Sequence, residues 1–463
     1  MVEDPKFGTD GVRGVANQDL TAHFAFRLGR VAGPVLAGGA GGRVVIGRDT
    51  RRSGDMLLAA LSAGLMASGV DVMDLGVVPT PGVAHLTQHT ASSAGVVISA
   101  SHNPAQDNGI KFFGPDGRKI ADELETEMEQ RLAGHEGEVS PIGDGVGRLL
   151  SGVDCVDEYV RFLCDTAPVS LAGLRIVADA GHGAASDLGP RVLRRLGAEV
   201  IAMHCEPDGM NINRGCGALH PDEMWSAVVR HGADLGVSFD GDADRAIFAD
   251  EKGEVVDGDR VLAICALAWR NTEQLPGNVV VGTVMSNVGL ERGLADAGVR
   301  LLRAPVGDRH VADAMNREGA SLGGEKSGHI LFSQCHTTGD GILTAIQVAG
   351  LAKAAGVCLS ELAGQIREYP QLLVNVPVWR RRGWRAQPQL WEAVRAAESR
   401  LGSSGRVLVR ASGTERLIRV MAEGPDEETV RDIVHTIADV IRDTMGSAPA
   451  GDASAPEAAD TVA

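Results

Sequence analysis

The chain of 463 residues is too long for a single hydrophobic core, so we expect several domains. Hydrophobic residues make up 44% of it and charged residues 23%, which is typical of globular proteins, and no apolar stretch is long enough to span a bilayer. The net charge of -17 argues against broad binding to nucleic acids or anionic membranes, because those partners require extended basic surfaces.

The chain begins with MVEDPKFGTDGVRG, which lacks a basic segment followed by an apolar one. We therefore predict no secretory signal and a cytoplasmic location. The seven cysteines include no C-x-x-C pair and follow no regular spacing, which argues against a disulfide framework or a zinc cluster.

One pattern then recurs three times along the chain: an apolar strand, a segment with helical periodicity and a second strand that follows a glycine. The copies run from GRVVIGRDT to VDVMDLG at 42–76, from LRIVADAG to AEVIAMH at 174–204 and from GNVVVGTVMS to VRLLRAPVG at 277–307. Repeated strand–helix–strand units of this size form parallel, buried sheets with short crossovers. The sequence therefore predicts three homologous α/β domains with mixed or parallel sheets.

A smaller α+β domain is predicted at the C-terminal end. GRVLVRASGTERLIRVMAEG reads as two strands joined by a polar loop, and DEETVRDIVHTIADVIRDTM has helical periodicity. Lapses in the apolar pattern mark the domain boundaries. We predict α/β domains at 1–150, 151–254 and 255–370, a C-terminal domain at 371–445 and a disordered tail at 446–463.

The first loop with chemical content is GVVISASHNPAQDNGIKFF at 95–113. An apolar strand ends there in small polar residues, and Ser99 and Ser101 are both candidate nucleophiles. A lone lysine, Lys111, follows ten positions after the second serine. The residues by themselves do not choose between the two serines.

Three aspartates, Asp240, Asp242 and Asp244, alternate along the loop after the predicted strand ADLGVSF. Without a cation they would repel one another by roughly 4 kcal/mol per pair at 4 Å. Oxygen ligands suit a hard divalent ion such as Mg²⁺ or Ca²⁺. An EF-hand loop also begins with Asp at positions 1, 3 and 5, but it needs Gly where this chain has Arg245. A metal site is therefore predicted, with a solvated acidic turn as the alternative.

The third loop, LGGEKSGHILF at 322–332, carries Glu325, Ser327 and His329 at alternate positions. In an extended segment these side chains would share one face, as the recognition of sugar hydroxyls requires. His329 would fit equally well as a hydrogen-bonded core residue.

The fourth loop, RASGTERLIR at 410–419, has the composition of a phosphate cradle, with an ordinary hairpin turn as the alternative. Its candidate phosphate ligands are Arg410, Ser412, Gly413, Thr414 and Arg419. No G-x-S-x-G elbow and no G-x-x-x-x-G-K-[ST] loop occurs in the sequence, so acyl transfer and nucleotide binding have little support. The four loops together favour phosphoryl transfer to and from a serine.

These loops resemble those of the α-D-phosphohexomutases, and most closely those of the bacterial phosphoglucosamine mutases. The resemblance runs from FGTDGVRG through SASHNP, DGDADR, GGEKSGHI and TTGDGILTA to SGTERLIRVM, and it covers essentially residues 6–445. It implies four domains around a central cleft and an intramolecular phosphotransferase that interconverts glucosamine 6-phosphate and glucosamine 1-phosphate. Such an enzyme works through a phosphoserine and a 1,6-bisphosphate, and supplies UDP-N-acetylglucosamine and peptidoglycan precursor synthesis.

The resemblance also implies a role for individual residues. Ser101, and not Ser99, matches the phosphoserine and would share Mg²⁺ with the three aspartates. Arg13 and Lys111 would line the reacting phosphate, with Lys111 or His329 as the general acid or base. The residues expected to bind substrate are Glu325, Ser327, Arg309, Arg410, Ser412, Gly413, Thr414 and Arg419.

The resemblance further implies glucosamine or glucose 1,6-bisphosphate as activator and a homodimer. Two positions depart from the family pattern: Arg416 replaces a usual proline, and Lys326 stands where the glucosamine type more often has glutamine. If its segment is extended, Lys326 should point away from the substrate. A phosphomannomutase or phosphoglucomutase of the same superfamily, a non-catalytic sugar-phosphate sensor and a metal-dependent phosphatase stay open as alternatives.

Overall fold

The structure, a computed structural model, describes residues 5–8, 10–37, 41–134, 140–270, 272–412 and 415–446. The chain divides into two compact units. The first is Met1–Met285 with Ala297–Gln365, and the second is Ser286–Asp296 with the chain from Ile366 onwards. Within the described ranges, no helix combines the length and the apolar composition that a membrane crossing requires. The tail predicted at 446–463 lies outside the described residues apart from Gly446, so its disorder stays a prediction.

The first sheet of the first unit is built from the N-terminal elements. In chain order these are β1 (Phe7–Gly8), β2 (Gly11–Val15), α1 (Ala22–Ala37), β3 (Arg43–Arg48), α2 (Ser53–Ala67), β4 (Asp71–Val77), α3 (Thr80–His89), β5 (Ala94–Ile98), β6 (Asp107–Phe113), α4 (Asp122–Ala133) and β7 (Leu149–Ser151). The strands lie in the order β1-β2-β6-β5-β3-β4-β7. Strand β3 is parallel to β4 and β5, whereas β6 is antiparallel to β5 and β2.

Helices α1 and α2 approach each other closely where both contain glycine. A Cβ atom on Gly29 would lie 2.3 Å from the carbonyl oxygen of Leu61, and one on Gly64 would lie 2.1 Å from the carbonyl oxygen of Phe26. No larger residue fits at either position without moving the helices apart. The apolar side chains of both helices form one buried core with those of β3, β4 and β5.

The second sheet follows directly in the chain. Its elements are α5 (Val156–Asp165), β8 (Arg175–Asp179), α6 (Ala185–Arg195), β9 (Glu199–Met203), α7 (Asp222–His231), β10 (Leu235–Phe239), β11 (Ala246–Asp250) and β12 (Val255–Val256). The strand order is β12-β11-β10-β8-β9. Strand β8 is parallel to β9 and β10, and β11 is antiparallel to β10.

The third sheet has the strand order β14-β13-β15-β16. Its strands and several helices follow one another along the chain. They are α8 (Gly258–Trp269), β13 (Val279–Thr283), α9 (Val288–Asp296), β14 (Arg300–Ala304), α10 (Asp308–Glu318), β15 (Leu322–Gly324), β16 (Ile330–Phe332), α11 (Gly341–Ala355) and α12 (Leu359–Ala363). Strand β13 is parallel to β14 and β15, and β16 is antiparallel to β15. Helix α9 belongs to the second unit.

The three sheets repeat one arrangement. The chain segments β3-α2-β4, β8-α6-β9 and β13-α9-β14 each contain a parallel strand pair, which confirms the predicted repeat and the α/β fold class. A further strand, β5, β10 or β15, lies parallel to the first strand of each copy. The next strand, β6, β11 or β16, is antiparallel to it. The loops that follow β5, β10 and β15 therefore occupy equivalent positions in the three sheets.

The second unit contains helix α9 and the C-terminal elements. These are β17 (Gln371–Pro377), α13 (Pro388–Leu401), β18 (Arg406–Ala411), β19 (Leu417–Glu423) and α14 (Glu427–Met445). The antiparallel order is β17-β19-β18, which confirms the predicted strand pair and the α+β class. Helix α14 begins after Asp426, whose carboxylate accepts a hydrogen bond from the Thr429 N–H at 2.8 Å.

A buried hydrogen bond joins α5 to the start of α11. The Tyr159 hydroxyl donates to Asp340 Oδ2 at 2.7 Å, and Asp340 Oδ1 accepts from the Leu343 N–H at 2.9 Å as the N-cap of α11. Both side chains are fully buried. Burial raises the pKa of Asp340 to about 6, although the two hydrogen bonds oppose this rise.

The substitution Asp340→Asn should reveal how the titration of Asp340 affects the stability of the folded protein. In the folded protein the carboxyl group keeps its proton up to about pH 6, but in the unfolded chain only up to about pH 4. The folded state therefore binds more protons between these values, and its stability falls by about 3 kcal/mol as the pH rises through them. The variant lacks this dependence. Urea denaturation of parent and variant between these pH values measures the difference.

The matched control is Asp426→Asn, at the N-cap of α14. Hydrogen bonds from Thr429 lower the pKa of Asp426, so its contribution to stability is present above the unfolded pKa and is lost as the pH falls. The stability of the parent minus that of the variant should thus fall with rising pH for Asp340→Asn and rise with pH for Asp426→Asn. A parent-minus-variant stability for Asp340→Asn that rises with pH would contradict the effect of burial.

Candidate functional site

Ser101 lies in the loop between β5 and β6, and its hydroxyl reaches the loop after β10. Its Oγ atom donates a hydrogen bond to Asp240 Oδ2 at 2.6 Å, although the two residues are 139 positions apart in the chain. The side chain is 1% exposed. The backbone φ of Ser101 is +51°, a left-handed conformation that is uncommon outside glycine and costs free energy.

The guanidinium of Arg51, which the sequence motifs did not single out, holds this loop. Its Nη2 atom donates to the carbonyl oxygens of Ser101 at 2.9 Å and Asn103 at 2.8 Å. Its Nη1 atom donates to two further loop carbonyls. Asp49 pairs with Arg51 at 2.8 Å, and both side chains are fully buried. This buried ion pair stabilises the strained conformation of Ser101.

Ser99 has a different position from Ser101. Its hydroxyl donates to Asp49 Oδ2 at 2.6 Å and accepts from the Ser101 N–H at 2.9 Å. Both hydrogen bonds support the loop from inside the domain. The structure therefore places the hydroxyl of Ser101, and not that of Ser99, against the aspartate loop.

The carboxylates of Asp240, Asp242 and Asp244 form a buried cluster in the loop between β10 and β11. One oxygen from each lies within 4.8 Å of the other two. Asp242 Oδ1 and Asp244 Oδ1 are buried and have no hydrogen-bond partner among the described residues. Burial, followed by repulsion from the other two carboxylates, raises the pKa of Asp240 well above its usual range. Unpartnered oxygens and mutual repulsion are what a hard divalent cation would relieve, so these residues fit a metal ion.

A chain of alternating charges continues from this cluster. Lys111 Nζ lies 3.0 Å from Asp242 Oδ2 and 2.9 Å from Asp10 Oδ2. Asp10 also pairs with Lys119, which lies 2.7 Å from Asp308. Burial opposes the charge on Lys111, but the neighbouring carboxylates outweigh it and raise its pKa. The motifs TDG and VGD contain Asp10 and Asp308, yet only the fold shows that they share this chain.

The segment from Glu325 to His329 forms a tight turn between β15 and β16. The Gly328 N–H donates to the Glu325 carbonyl and the Glu325 N–H donates to the His329 carbonyl, each at 3.0 Å. Gly328 has a φ of +91°, which favours glycine. The segment is therefore not extended, so the condition under which the three side chains would share one face is not met. Glu325 and His329 are buried, whereas Ser327 is exposed.

Glu325 and His329 differ in how their polar atoms are used. Glu325 Oε1 accepts from the Gly307 N–H at 3.0 Å. His329 Nδ1 lies 3.7 Å from Asp244 Oδ1, while its Nε2 is buried without a hydrogen-bond partner in the described part of the chain. Burial lowers the pKa of His329, but Asp244 and other nearby carboxylates outweigh this effect and raise it. The Nε2 atom is thus available to a bound molecule.

Arg13 and Arg309 each form an ion pair with a carboxylate from the part of the chain that forms the first sheet. Arg13 pairs with Asp10, and Arg309 pairs with Asp122. A cavity of about 320 Å³ is lined by Arg309 and His329, among others. A cavity of this size is in the range of small-ligand sites.

The two departures from the family pattern have separate surroundings. Lys326 forms an ion pair with Asp257 Oδ2 at 3.5 Å, and Asp257 is the N-cap of α8. Arg416, in the second unit, is exposed, and its carbonyl accepts from the Val378 N–H at 2.9 Å.

In the second unit, Arg410 on β18 lies directly opposite Arg419 on β19. The Nε atoms of both are buried and lack a hydrogen-bond partner within the described ranges. Burial, and then the charge of Arg419, lowers the pKa of Arg410. Like charges on paired strands destabilise a sheet unless an anion neutralises them. Ser412 is buried beside this pair, and the predicted ligands Gly413 and Thr414 lie outside the described residues.

Models of four consecutive domains of one family match the chain. They are the phosphoglucomutase/phosphomannomutase alpha/beta/alpha domains I, II and III at 4–137, 157–253 and 257–369, and the C-terminal domain at 373–440. The chain belongs to the phosphoglucomutase/phosphomannomutase family. The domain boundaries predicted from the sequence stay predictions, because the matches leave the residues between them unassigned.

The chain is also similar over nearly its whole length to curated phosphoglucosamine mutases. It is 51% identical to that of Heliobacterium modesticaldum, covering 94% of this chain and 99% of the relative. It is 52% identical to that of Symbiobacterium thermophilum, covering 94% and 98%. These relatives confirm the expected family, the bacterial phosphoglucosamine mutases, and the enzyme class, an intramolecular phosphotransferase among the isomerases.

Solved structures of the family share the fold. A phosphoglucomutase/phosphomannomutase family protein from Burkholderia thailandensis has a TM-score of 0.81 at 25% identity, covering 99% of this chain and all of the other. The N-acetylphosphoglucosamine mutase of Aspergillus fumigatus, solved in complex with GlcNAc-6P and magnesium, has a TM-score of 0.69 at 18% identity, covering 95% and 96%. The second likeness shows the fold alone.

Mg²⁺ should stabilise the metal-stripped protein through the aspartate cluster. At one hundred times its dissociation constant, an ion that binds only the folded state adds about 2.7 kcal/mol. The substitution Asp240→Asn should abolish this gain. It should also raise the melting temperature without metal, because burial and the neighbouring carboxylates disfavour ionised Asp240 in the folded state, whereas the unfolded chain ionises it freely. Thermal melting with and without Mg²⁺ measures both effects.

The control is Asp313→Asn, an exposed carboxylate on α10. This variant should melt like the parent under both conditions. If Asp240→Asn keeps the full stabilisation by Mg²⁺, the ion binds elsewhere and the assignment of the cluster fails.

Proposed function

We propose that this protein interconverts glucosamine 6-phosphate and glucosamine 1-phosphate through a phosphoserine at Ser101 and a glucosamine 1,6-bisphosphate intermediate. One observation carries the proposal: the buried hydroxyl of Ser101 lies 2.6 Å from Asp240 in a cluster of three carboxylates. A serine in this position can be a phosphoryl acceptor beside a metal site. Curated relatives that are named phosphoglucosamine mutases and are about half identical to this chain support the choice of sugar.

The metal proposed for the cluster is Mg²⁺. Asp240, Asp242 and Asp244 would hold it with Ser101, and two of these aspartates each have an oxygen without a hydrogen-bond partner in the part of the chain that the structure describes, which supports this set of ligands. When bound, the ion makes the phosphoryl group more electrophilic and offsets negative charge on the departing serine oxygen. The exclusively oxygen ligands favour Mg²⁺ over softer metals.

In the first transfer, the C1 hydroxyl oxygen of the sugar attacks the phosphorus on Ser101. The new bond between the C1 oxygen and phosphorus forms as the bond from phosphorus to Ser101 Oγ breaks, and the proton of the C1 hydroxyl passes to His329 in its neutral form, whose basicity the nearby carboxylates increase. The Nε2 atom of His329, which has no hydrogen-bond partner among the described residues, supports this role. Lys111 is shared between two carboxylates, so we assign it a fixed positive charge beside the phosphate.

Before the second transfer, the bisphosphate reorients in the site so that its 6-phosphate lies beside Ser101. Ser101 Oγ attacks this phosphorus, the C6 oxygen leaves, and that oxygen takes up the proton held by His329. Glucosamine 1-phosphate and the phosphorylated serine are the products, so atoms and protons balance over the cycle. If the bisphosphate escapes first, glucosamine or glucose 1,6-bisphosphate would restore the phosphate on Ser101 as an activator.

The remaining predicted residues would bind the substrate. Arg13 would contact the reacting phosphate, and Glu325, Ser327 and Arg309 would contact the sugar. Arg410 and Arg419 would bind a phosphate group; their opposed positions on paired strands, and Nε atoms without a hydrogen-bond partner among the described residues, support this role. Ser412, Gly413 and Thr414 belong to the same proposed phosphate loop. The predicted homodimer and cytoplasmic location stay predictions.

The experiment that tests the proposal compares three substrates under equal activation by bisphosphate: glucosamine, mannose and glucose 6-phosphates. We expect kcat/KM to be highest for glucosamine 6-phosphate, with low activity on the other two, since discrimination of single substituents is incomplete. Ser101→Ala should abolish turnover and phosphorylation of the enzyme. In the control Ser99→Ala, peptide mapping should still find phosphate on Ser101. A preference for mannose 6-phosphate, or turnover by Ser101→Ala, would refute the proposal.

Arg51 should act as a positioning residue for Ser101. The substitution Arg51→Lys removes the planar guanidinium that binds the loop carbonyls, so the nucleophile shifts from its productive position. We expect kcat to fall by about 10²-fold, with little change in KM or in stabilisation by Mg²⁺. Steady-state kinetics and thermal melting measure these quantities.

The neighbouring Arg52 provides the matched control, because its side chain is exposed. Arg52→Lys should keep the kcat of the parent. An unchanged kcat in Arg51→Lys would show that the loop holds Ser101 without the guanidinium.

A further inference from the structure

Helices α3 and α5 bring two histidines and a glutamate together outside the proposed active site. His85 and His89 lie one turn apart on α3, and Glu158 lies on α5. One ligand atom from each lies within 4.8 Å of the other two. His89 Nδ1 is 3.7 Å from Glu158 Oε1. None of the motifs quoted in the sequence analysis covers all three residues.

His85 has the chemical state that a metal ligand requires. Its ring stacks on Phe162 with the centroids 4.2 Å apart, and its Nε2 atom is buried without a hydrogen-bond partner among the residues that the structure describes. Burial, and then the charge of His89, lowers the pKa of His85 to about 4. The imidazole is therefore neutral at physiological pH, and neutral imidazole is the form that binds metals.

We propose that His85, His89 and Glu158 bind a late first-row transition-metal ion, with Zn²⁺ as the best fit. Two imidazoles spaced H-x₃-H on a helix and one carboxylate are the donors of known three-ligand zinc sites. The side chains of His89 and Glu158 are 50% and 22% exposed, so water can reach a fourth position. Nitrogen donors disfavour Mg²⁺, which separates this site from the aspartate cluster.

The distances are compatible with such an ion after a small side-chain movement. Donors about 2.0–2.1 Å from a tetrahedral ion lie about 3.4 Å from one another. The 3.7 Å between His89 and Glu158 is close to this value. Half of the His89 side chain is exposed, so it can rotate to shorten the remaining distance. Arg161 pairs with Oε2 of Glu158, which leaves Oε1 towards His89.

A metal ion at this site would tie the C-terminal end of α3 to α5. The N-terminal end of α3 already supports the aspartate cluster, because the Thr80 hydroxyl donates to Asp242 Oδ2 at 2.6 Å and the Thr80 N–H donates to the Asp242 carbonyl at 3.0 Å. The ion would thus restrain the helix on which Asp242 rests. We expect binding to raise the melting temperature of the protein.

The test is calorimetric titration of Zn²⁺ into the metal-stripped, tag-free full chain with excess Mg²⁺ present to occupy the aspartate cluster. The parent should bind one zinc equivalent at this site and melt at a higher temperature with it. His89→Ala and Glu158→Gln should each weaken this binding at least tenfold and lose the increase in melting temperature. X-ray absorption of the parent should show two imidazoles and one carboxylate around zinc.

The matched control is His23→Ala, another exposed histidine on a helix, which should bind zinc like the parent. The turnover of each variant with Mg²⁺ alone reports that it is folded. Equal zinc affinity in His89→Ala and the parent would overturn the proposal. So would the absence of zinc binding in the parent under excess Mg²⁺, which would leave His89 and Glu158 as an ordinary ion pair.

Discussion

Concentrated negative charge inside the first unit is the constraint on which the site depends. Asp240, Asp242 and Asp244 lie in one buried loop, and their mutual repulsion is only partly offset by protein partners. Lys111 compensates one of them and Ser101 donates a hydrogen bond to another. Burying charges of one sign costs stability, so such a cluster persists where a cation or a function requires it.

The backbone conformation of Ser101 has a second free-energy cost, which contacts within its loop offset. A positive φ in a serine is unfavourable, and the loop keeps it because the buried guanidinium of Arg51 binds the carbonyl oxygens of Ser101 and of a second loop residue, Asn103. Asp49 in turn neutralises Arg51. Strain of this kind occurs at functional sites, where the surrounding structure determines the conformation. The position of the hydroxyl is thus a property of the whole loop and not of one side chain.

The second unit contains a corresponding cluster of positive charge. Arg410 and Arg419 are paired across two strands, and within the described part of the chain each keeps a nitrogen atom without a hydrogen-bond partner, just as Asp242 and Asp244 each keep an oxygen without one. Carboxylates predominate at one site and guanidinium groups at the other, although Glu415 pairs with Arg419 at 3.4 Å. A divalent cation matches the charge of the first site and an anion that of the second.

The sequence by itself determined the repeated strand–helix–strand units, the α/β class, the family and the identity of the aspartate loop, because periodicity and motif spacing are local properties. The family resemblance matched Ser101, but the residues by themselves did not determine which serine meets that loop, since both follow β5 within three positions and only packing separates their environments. Tertiary structure also decided that Glu325 and His329 flank a turn, and that Arg51 and Asp10 belong to the site. Contacts between residues far apart in the chain depend on how strands pair and loops meet, and no local sequence pattern predicts them.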